Sequence, residues 1–260
     1  MLFLIVSFLA STVGAICGIG GGVIIKPVLD MLHLETVTTI SFLSACTVLS
    51  MTCYSVGRSM LAGERRVALR TGTPLAIGAA VGGLLGKQLF TNIRALFAGQ
   101  DTVGAVQAVC LAAITLGTLA YTVNKGRIHT RTVQGVPACA VIGLALGVMS
   151  SFLGIGGGPI NLVVLFYFFS MDTKTAAANS LYIILFSQLA SVLSTVFTST
   201  VPPFQPATLF LMAAGGIGGG MAGRALNRRM DEKMVDKLFI VLMAVIIGIS
   251  IYNGWQYAAG

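Results

Sequence analysis

Apolar residues occupy this chain in long runs separated by short polar stretches. The runs cover roughly 2–17, 23–33, 37–57, 71–91, 103–123, 136–153, 159–170, 175–199, 206–223 and 236–253. Polar loops fall at Gly57–Arg70, Thr91–Asp101, Asn124–Gln134, Thr200–Pro206 and Arg224–Asp236. A helix needs about 20 apolar residues to cross a bilayer, and runs of about that length recur from end to end. The pattern predicts an all-α polytopic membrane protein. Two runs, 23–33 and 159–170, are too short to cross. Each directly follows the pentapeptide Gly-Ile-Gly-Gly-Gly, at Gly18–Gly22 and Gly154–Gly158.

The second half of the chain repeats the first. The pentapeptides lie 136 residues apart, and Gly82-Gly-Leu-Leu-Gly-Lys-Gln-Leu lines up with Gly219-Gly-Met-Ala-Gly-Arg-Ala-Leu at an offset of 137. Glu35-Thr-Val-Thr also lines up with Asp172-Thr-Lys-Thr at 137. The chain therefore divides into a first repeat at 1–123, a linker at 124–135 and a second repeat at 136–260.

Loop charge discriminates between two topologies. If each pentapeptide with its flanks crosses fully, the basic residues divide almost evenly between the two sides. If each dips in and returns, 13 of the 16 Lys and Arg residues share a side: Arg58, Arg65, Arg66, Arg70, Lys125, Arg127, Arg131, Lys174, Arg224, Arg228, Arg229, Lys233 and Lys237. The positive-inside rule prefers the second arrangement and makes 124–135 a cytoplasmic linker. Each half is then a glycine-broken, re-entrant helix pair plus three transmembrane helices. Three crossings per half set the halves in opposite senses, an inverted-topology repeat of the kind found in secondary transporters. Residues 2–17 would rise about 24 Å, nearly a whole span, so a tilted, broken full crossing stays open as the alternative. Residues 2–17 also lack the basic start and cleavage site of a secretory signal and read as a retained helix.

Composition removes other classes. Charged residues make up only 9% of the chain and mean hydropathy is +0.92, against about a quarter charged in soluble domains. The net charge of +8 belongs to the loops and gives no reason to invoke nucleic acid. The five cysteines form no CxxC pair, and His33 and His129 have no partner at metal-ligand spacing, so neither metal nor cofactor is expected. The eight acids fall in loops or at segment ends. No acid–base pair or activated nucleophile is in view, and an enzyme is not expected.

The glycine breaks carry the candidate chemistry. Irregular backbone at membrane depth survives only where protein or water surrounds it. A new helix beginning after each break would aim free amides and about half a positive charge at the gap. Two such termini meeting at the repeat axis make an anion site. The predicted donors are the amides of Gly20, Gly21 and Gly22 and of Gly156, Gly157 and Gly158. Lys26 and Asn161 follow one turn later. Ser41 and Asn179 lie one turn into the next spans, on helices with hydroxyl stripes (Ser41, Ser44, Thr47, Ser50; Ser180, Ser187, Ser191, Ser194). Those hydroxyls could equally bond carbonyls one turn back. The four-spaced sets Gly78/Gly82/Gly86 and Gly215/Gly219/Gly223 read as close-packing faces. Cys17, replaced by Leu153 in the second copy, reads as a buried hydrophobe. A dinucleotide fingerprint fails because Val23 stands where its last glycine would be.

Two Gly-Ile-Gly-Gly-Gly elements heading the halves of a small polytopic chain resemble the sulfite exporter TauE/SafE family. The resemblance spans essentially the whole chain. It implies transport of a small sulfur-containing anion (sulfite, thiosulfate or an organosulfonate) across a bacterial inner membrane. Pro27 falls where family members often carry proline after the first break, whereas the second copy has Val163 there and Pro159 earlier. The expected partners are that anion and the lipid bilayer, with association into oligomers left open. The alternatives are an anion channel built on the same amides and a membrane subunit that transports nothing itself.

Overall fold

A computed structural model describes residues 1–32, 35–64, 66–96, 100–153 and 157–259. Among these are ten α-helices, one short 3-10 turn and no strand. The helices are α1 (Leu2–Cys17), α2 (Gly22–Met31), α3 (Val37–Leu61), α4 (Leu69–Leu96), α5 (Gln100–Asn124), α6 (Val136–Leu153), α7 (Gly158–Phe169), α8 (Thr173–Phe197), α9 (Pro206–Arg229) and α10 (Glu232–Ala259). Each apolar run becomes one helix. Five of them, α3, α4, α5, α9 and α10, extend about a turn or more into the flanking polar residues, because backbone hydrogen bonding continues where hydropathy falls. Five of the helices are long and apolar enough to cross a membrane: α3, α8, α9, α10 and the part of α5 after Ala108.

Helix packing follows the duplication. α4 runs along α6, and α1 runs along α9; α5 packs on α10, α4 on α8, and α3 on α9. Exchanging each helix with the one five places on turns this set of pairs into itself. The four-spaced glycines are what allow the two closest pairs. A Cβ at Gly78, Gly82 or Gly86 would lie 2.2, 2.0 and 2.6 Å from the carbonyl oxygens of Ala140, Leu144 and Val148. A Cβ at Gly215, Gly219 or Gly223 would lie 2.9, 2.4 and 2.4 Å from those of Leu4, Phe8 and Thr12. These contacts run in the same order along both helices of each pair, so each pair is parallel. Any side chain would push the two backbones apart.

The two ends of the bundle differ in chemistry. At one end Arg224 pairs with Glu64 at 2.9 Å, Lys125 pairs with Asp236, and Lys174 donates to the carbonyl of Met230. These contacts gather the loops after α3, α5, α7 and α9 at a single basic end. The irregular stretch before α6 also returns there: Arg131 and Val133 donate to the carbonyls of Tyr167 and Phe168, 2.7 and 2.8 Å away, in the last turn of α7. The start of α6 and the finish of α7 therefore lie together. At the opposite end Thr39 of α3 donates to the carbonyl of Pro203 at 3.2 Å, and Phe42 lies against Phe204 with ring centroids 5.5 Å apart.

One register expectation changes. The alignment of Glu35 with Asp172 implies an offset of 137. The residues that cap α3 and α8, accepting from amides three residues on, are Thr36 and Asp172, which are 136 apart. Both helices are 25 residues long, so the extra residue falls in the loop before α9. The offset of 136 pairs Ser55 with Ser191 and Ser59 with Thr195. Alignment of a Glu with an Asp overrode this because sequence likeness does not register which residue accepts from the first-turn amides.

Candidate functional site

The first pentapeptide is built as a sharp exit from α1. Gly18 takes φ +78° and donates to the carbonyl of Gly14 at 2.9 Å; Ile19 donates to the same oxygen at 3.1 Å. Gly20 also has positive φ, +72°, a region open to glycine at little cost. The chain then enters α2 at Gly22. Among the described residues no backbone hydrogen bond is made by the amides of Gly20, Gly21 or Gly22. All three residues are buried. Since α2 runs from the break towards the Pro203 end, its amino terminus faces the basic end.

In the second pentapeptide, Gly156 lies outside the described residues, as do Gly154 and Ile155. Gly157 takes φ +74° and precedes α7, whose first turn carries Pro159, a residue suited to that position because it has no amide to leave unpaired. α7 runs towards the basic end, so its amino terminus faces the other way from that of α2. The two breaks meet. A Cβ on Gly158 would fall 1.9 Å from the carbonyl oxygen of Ile19, and a Cβ on Gly18 would fall 2.3 Å from Cα of Ala177 on α8. Ile19 is fully buried, and at this contact backbone touches backbone without intervening space.

The other sequence-predicted residues are distributed around the breaks. Asn161 is buried beside Gly157; its Oδ1 has no hydrogen-bond partner among the described residues. Ser150 fills the other side of Gly157, with its hydroxyl on the carbonyl of Leu146 at 2.6 Å. Lys26 is 5% exposed on α2, one turn from the half-buried Asp30, and both are engaged in contacts. Ser41 is half-buried near the start of α3. Asn179 is fully committed to backbone: its Oδ1 accepts from Ala68 at 3.0 Å, and its Nδ2 donates to Arg66 and Thr175 at 2.9 and 2.8 Å. It fastens the loop before α4 onto α8. Within the hydroxyl stripes, Thr47 and Ser50 bond carbonyls one turn back. Cys17 is buried.

Sequence reasoning missed a pocket at the basic end, of about 60 Å³. Ala15, Ala177 and Leu181 form its apolar wall, and Ala177 is the residue that Gly18 touches. Ser55, Ser59, Asn227, Glu64, Arg66, Lys174, Arg224 and Arg228 supply its polar lining. Four cations thus face one carboxylate. Asn227 donates to the carbonyl of Ile16 at 2.6 Å, covering the negative end of α1 where it would otherwise repel an anion. The arginines were read only as loop charge. The alignment of Lys87 with Arg224, two cations at one repeat position directly after the last four-spaced glycine, was the signal that could have singled one of them out.

The arrangement offers cations and peptide dipoles. Among the described residues no cluster of three or more His, Cys, Asp or Glu could hold a metal. Comparison with known proteins agrees with the membrane reading. The family described as "Sulfite exporter TauE/SafE" matches residues 3–251. The "Probable membrane transporter protein YunE" of Bacillus subtilis (strain 168) is 24% identical over 224 residues, which is 77% of this chain and 80% of that protein. No solved structure matches. With a family match over nearly the whole chain and the helical membrane fold already described, the chain belongs to the sulfite exporter TauE/SafE family of membrane transporters and is not an enzyme.

Proposed function

We propose that the chain is a secondary transporter that exports a small sulfur-containing anion (sulfite, thiosulfate or an organosulfonate) across a bacterial inner membrane. The basic end lies in the cytoplasm, and the two halves are inverted repeats. The anion enters through the cationic pocket and is held between the breaks. The amides of Gly20, Gly21, Gly22, Gly156, Gly157 and Gly158 bind it there, with Lys26, Ser41 and Asn161 as side-chain donors. Asn179 acts indirectly, by positioning the Arg66 loop.

The observation that carries this reading is the meeting of Gly158 with Ile19 directly above a pocket lined by four cations. An inward-facing cationic funnel raises the local anion concentration. Helix-terminal amides can then hold the charge without a bare cation in lipid. Backbone contact between the breaks also favours a carrier, in which the halves must part, over a channel with a permanent filter. An inside-negative potential drives an anion outward by about 2.3 kcal/mol per charge per 100 mV, which leaves no need for a proton relay.

The test is flux of labelled sulfite in proteoliposomes holding only this chain, with the potential set by potassium and valinomycin. Saturable flux that accelerates with the potential and shows trans-stimulation is expected. Ohmic single-channel current would replace the carrier with a channel. Absence of flux from a folded, purified chain would point to a partner subunit.

A further inference from the structure

We propose that Arg224 is an anion-binding station in the basic pocket and that Glu64 is its built-in occupant, displaced by the transported anion. This rests on the anion-transport reading above and adds a site to it. Arg224 is held in place by α3. One guanidinium nitrogen donates to the carbonyl of Ser55 at 3.0 Å and the other to that of Arg58 at 3.3 Å. Neither contact neutralises it. The second nitrogen also donates to Oε1 of Glu64 at 2.9 Å, and Nε of Arg228 lies 4.0 Å from the same oxygen. The other carboxylate oxygen accepts from the Ser59 hydroxyl at 3.1 Å.

A carboxylate bound in this way presents the same acceptor geometry as one face of a sulfite or sulfonate. Those oxyanions can take the Arg224 N–H and Ser59 O–H donors in its place. The pocket has charge to spare, since Arg66 and Lys174 line it as well. It also has an unused donor. Ser55 lines it, is 6% exposed, and its hydroxyl has no hydrogen-bond partner among the described residues. The Arg224–Glu64 pair is itself partly exposed, at 17% and 27% of the two side chains, and such pairs are weak enough to be displaced.

The second copy shows that the fold does not require the carboxylate. Lys87 holds the repeat position of Arg224, and it donates directly to the hydroxyl of Thr195, the counterpart of Ser59. Thr200 stands 136 residues on from Glu64. Glu64 is therefore an addition at the basic end alone. It follows Gly63, whose φ of +66° turns the chain out of α3. A few residues on, the same loop is fastened to α8 through Asn179. Replacing Glu64 by a free anion detaches this loop from α9 while leaving it on α8, so occupancy changes how α3, α8 and α9 are tied together.

The experiment measures equilibrium binding of labelled sulfite to the full chain in detergent, for wild type, E64Q, E64D, R224K and E64Q/R224K. Monodisperse elution serves as the folding check. E64Q removes the internal competitor and should tighten binding about tenfold. E64D, with a carboxylate one methylene short of Arg224, should tighten it less. R224K keeps a charge but loses the fork of donors; it should weaken binding, and E64Q added to it should bring no gain. Unchanged or weaker binding in E64Q and E64D, or a gain that survives in E64Q/R224K, overturns the displaced-occupant proposal while the transport reading stands. If neither wild type nor E64Q binds sulfite, thiosulfate or a sulfonate, the transport reading fails and this inference goes with it.

Discussion

The two ends of this molecule solve one structural problem with different chemistry. At each end the loop joining the third and fourth helices of one half is held by a helix of the other half. At the basic end the link is polar: Asn179 of α8 makes two backbone hydrogen bonds to the loop, at Arg66 and Ala68, and Glu64 bridges Arg224 and Ser59. At the far end it is mostly apolar, with Phe42 against Phe204 and one hydrogen bond from Thr39 to Pro203. The two links occupy matching places in the helix order but differ in character. A polar link surrounded by cations can exchange partners with a charged solute, whereas an aromatic contact responds to no anion.

The largest effect expected concerns how tightly the first break seats above the basic pocket. Gly18→Ala would place a Cβ 2.3 Å from Cα of Ala177 at φ +78°, so either α1 or α8 must shift. Overpacking of this kind costs about 1–3 kcal/mol and the left-handed backbone about 1–2 more. Gly20→Ala is the control. Its φ of +72° is similar, but its nearest neighbours, Ile184 and Val48, lie at an ordinary 3.4 Å, so only the backbone strain of about 1–2 kcal/mol applies. Thermal midpoints in detergent should fall much further for Gly18→Ala. Equal losses would mean that the break is held by its own turn and not by the contact with α8.

Next come the two links. Asn179→Leu leaves the Ala68 amide and Arg66 carbonyl without their partner; both bonds are only part-buried, so the loss is about 1 kcal/mol each. Hydrogen exchange should rise in 66–68 before it rises in 203–205. Phe42→Ala removes one half-buried ring contact. It should cost about 1–2 kcal/mol, less than a fully buried Phe→Ala, with exchange rising first around Phe204. If each substitution loosened both ends equally, the ends would not be separate devices, and the contrast drawn above would collapse.

Much of this was legible in the sequence, and what was missed has a common cause. Helix number and order followed from the apolar runs, because hydropathy and span length are properties of single segments. The packing role of the four-spaced glycines followed from helical period, and α4–α6 and α1–α9 bear it out. That the two breaks come together was expected from the duplication; that Gly158 and Ile19 touch backbone to backbone, with no space between them, was not. The pocket was not foreseen: Arg66, Lys174, Arg224 and Arg228 come from three separate loops or helix ends, and each alone looks like an ordinary loop cation. Asn179 shows the same limit from the other side. A buried Asn in an apolar helix reads as a ligand donor until the loop that occupies all its hydrogen-bonding groups, 111 and 113 residues away in the chain, is brought beside it.

The smallest effect separates the ends by pH. α8 begins at the basic end under the Asp172 carboxylate, which accepts from the Thr175 amide at 2.8 Å; α3 begins at the far end under the Thr36 hydroxyl, which accepts from Thr39 at 3.2 Å. Removing either cap should cost about 1 kcal/mol at neutral pH. Only one of them titrates. Partial burial pushes the Asp172 carboxyl up, but hydrogen bonds from the Thr175 amide and hydroxyl, with help from neighbouring amides, hold it below its ordinary 3.8. A carboxyl lowered by folding contributes stability that is present above its unfolded value and lost as pH falls through the folded one. The cost of Asp172→Ala should therefore be constant above about pH 5 and shrink below about pH 4, whereas that of Thr36→Ala should stay flat over the same range. Thermal midpoints of the two variants and the wild type, taken from pH 3 to 7, give both curves. A flat Asp172→Ala curve would show that the carboxylate is dispensable to its own helix.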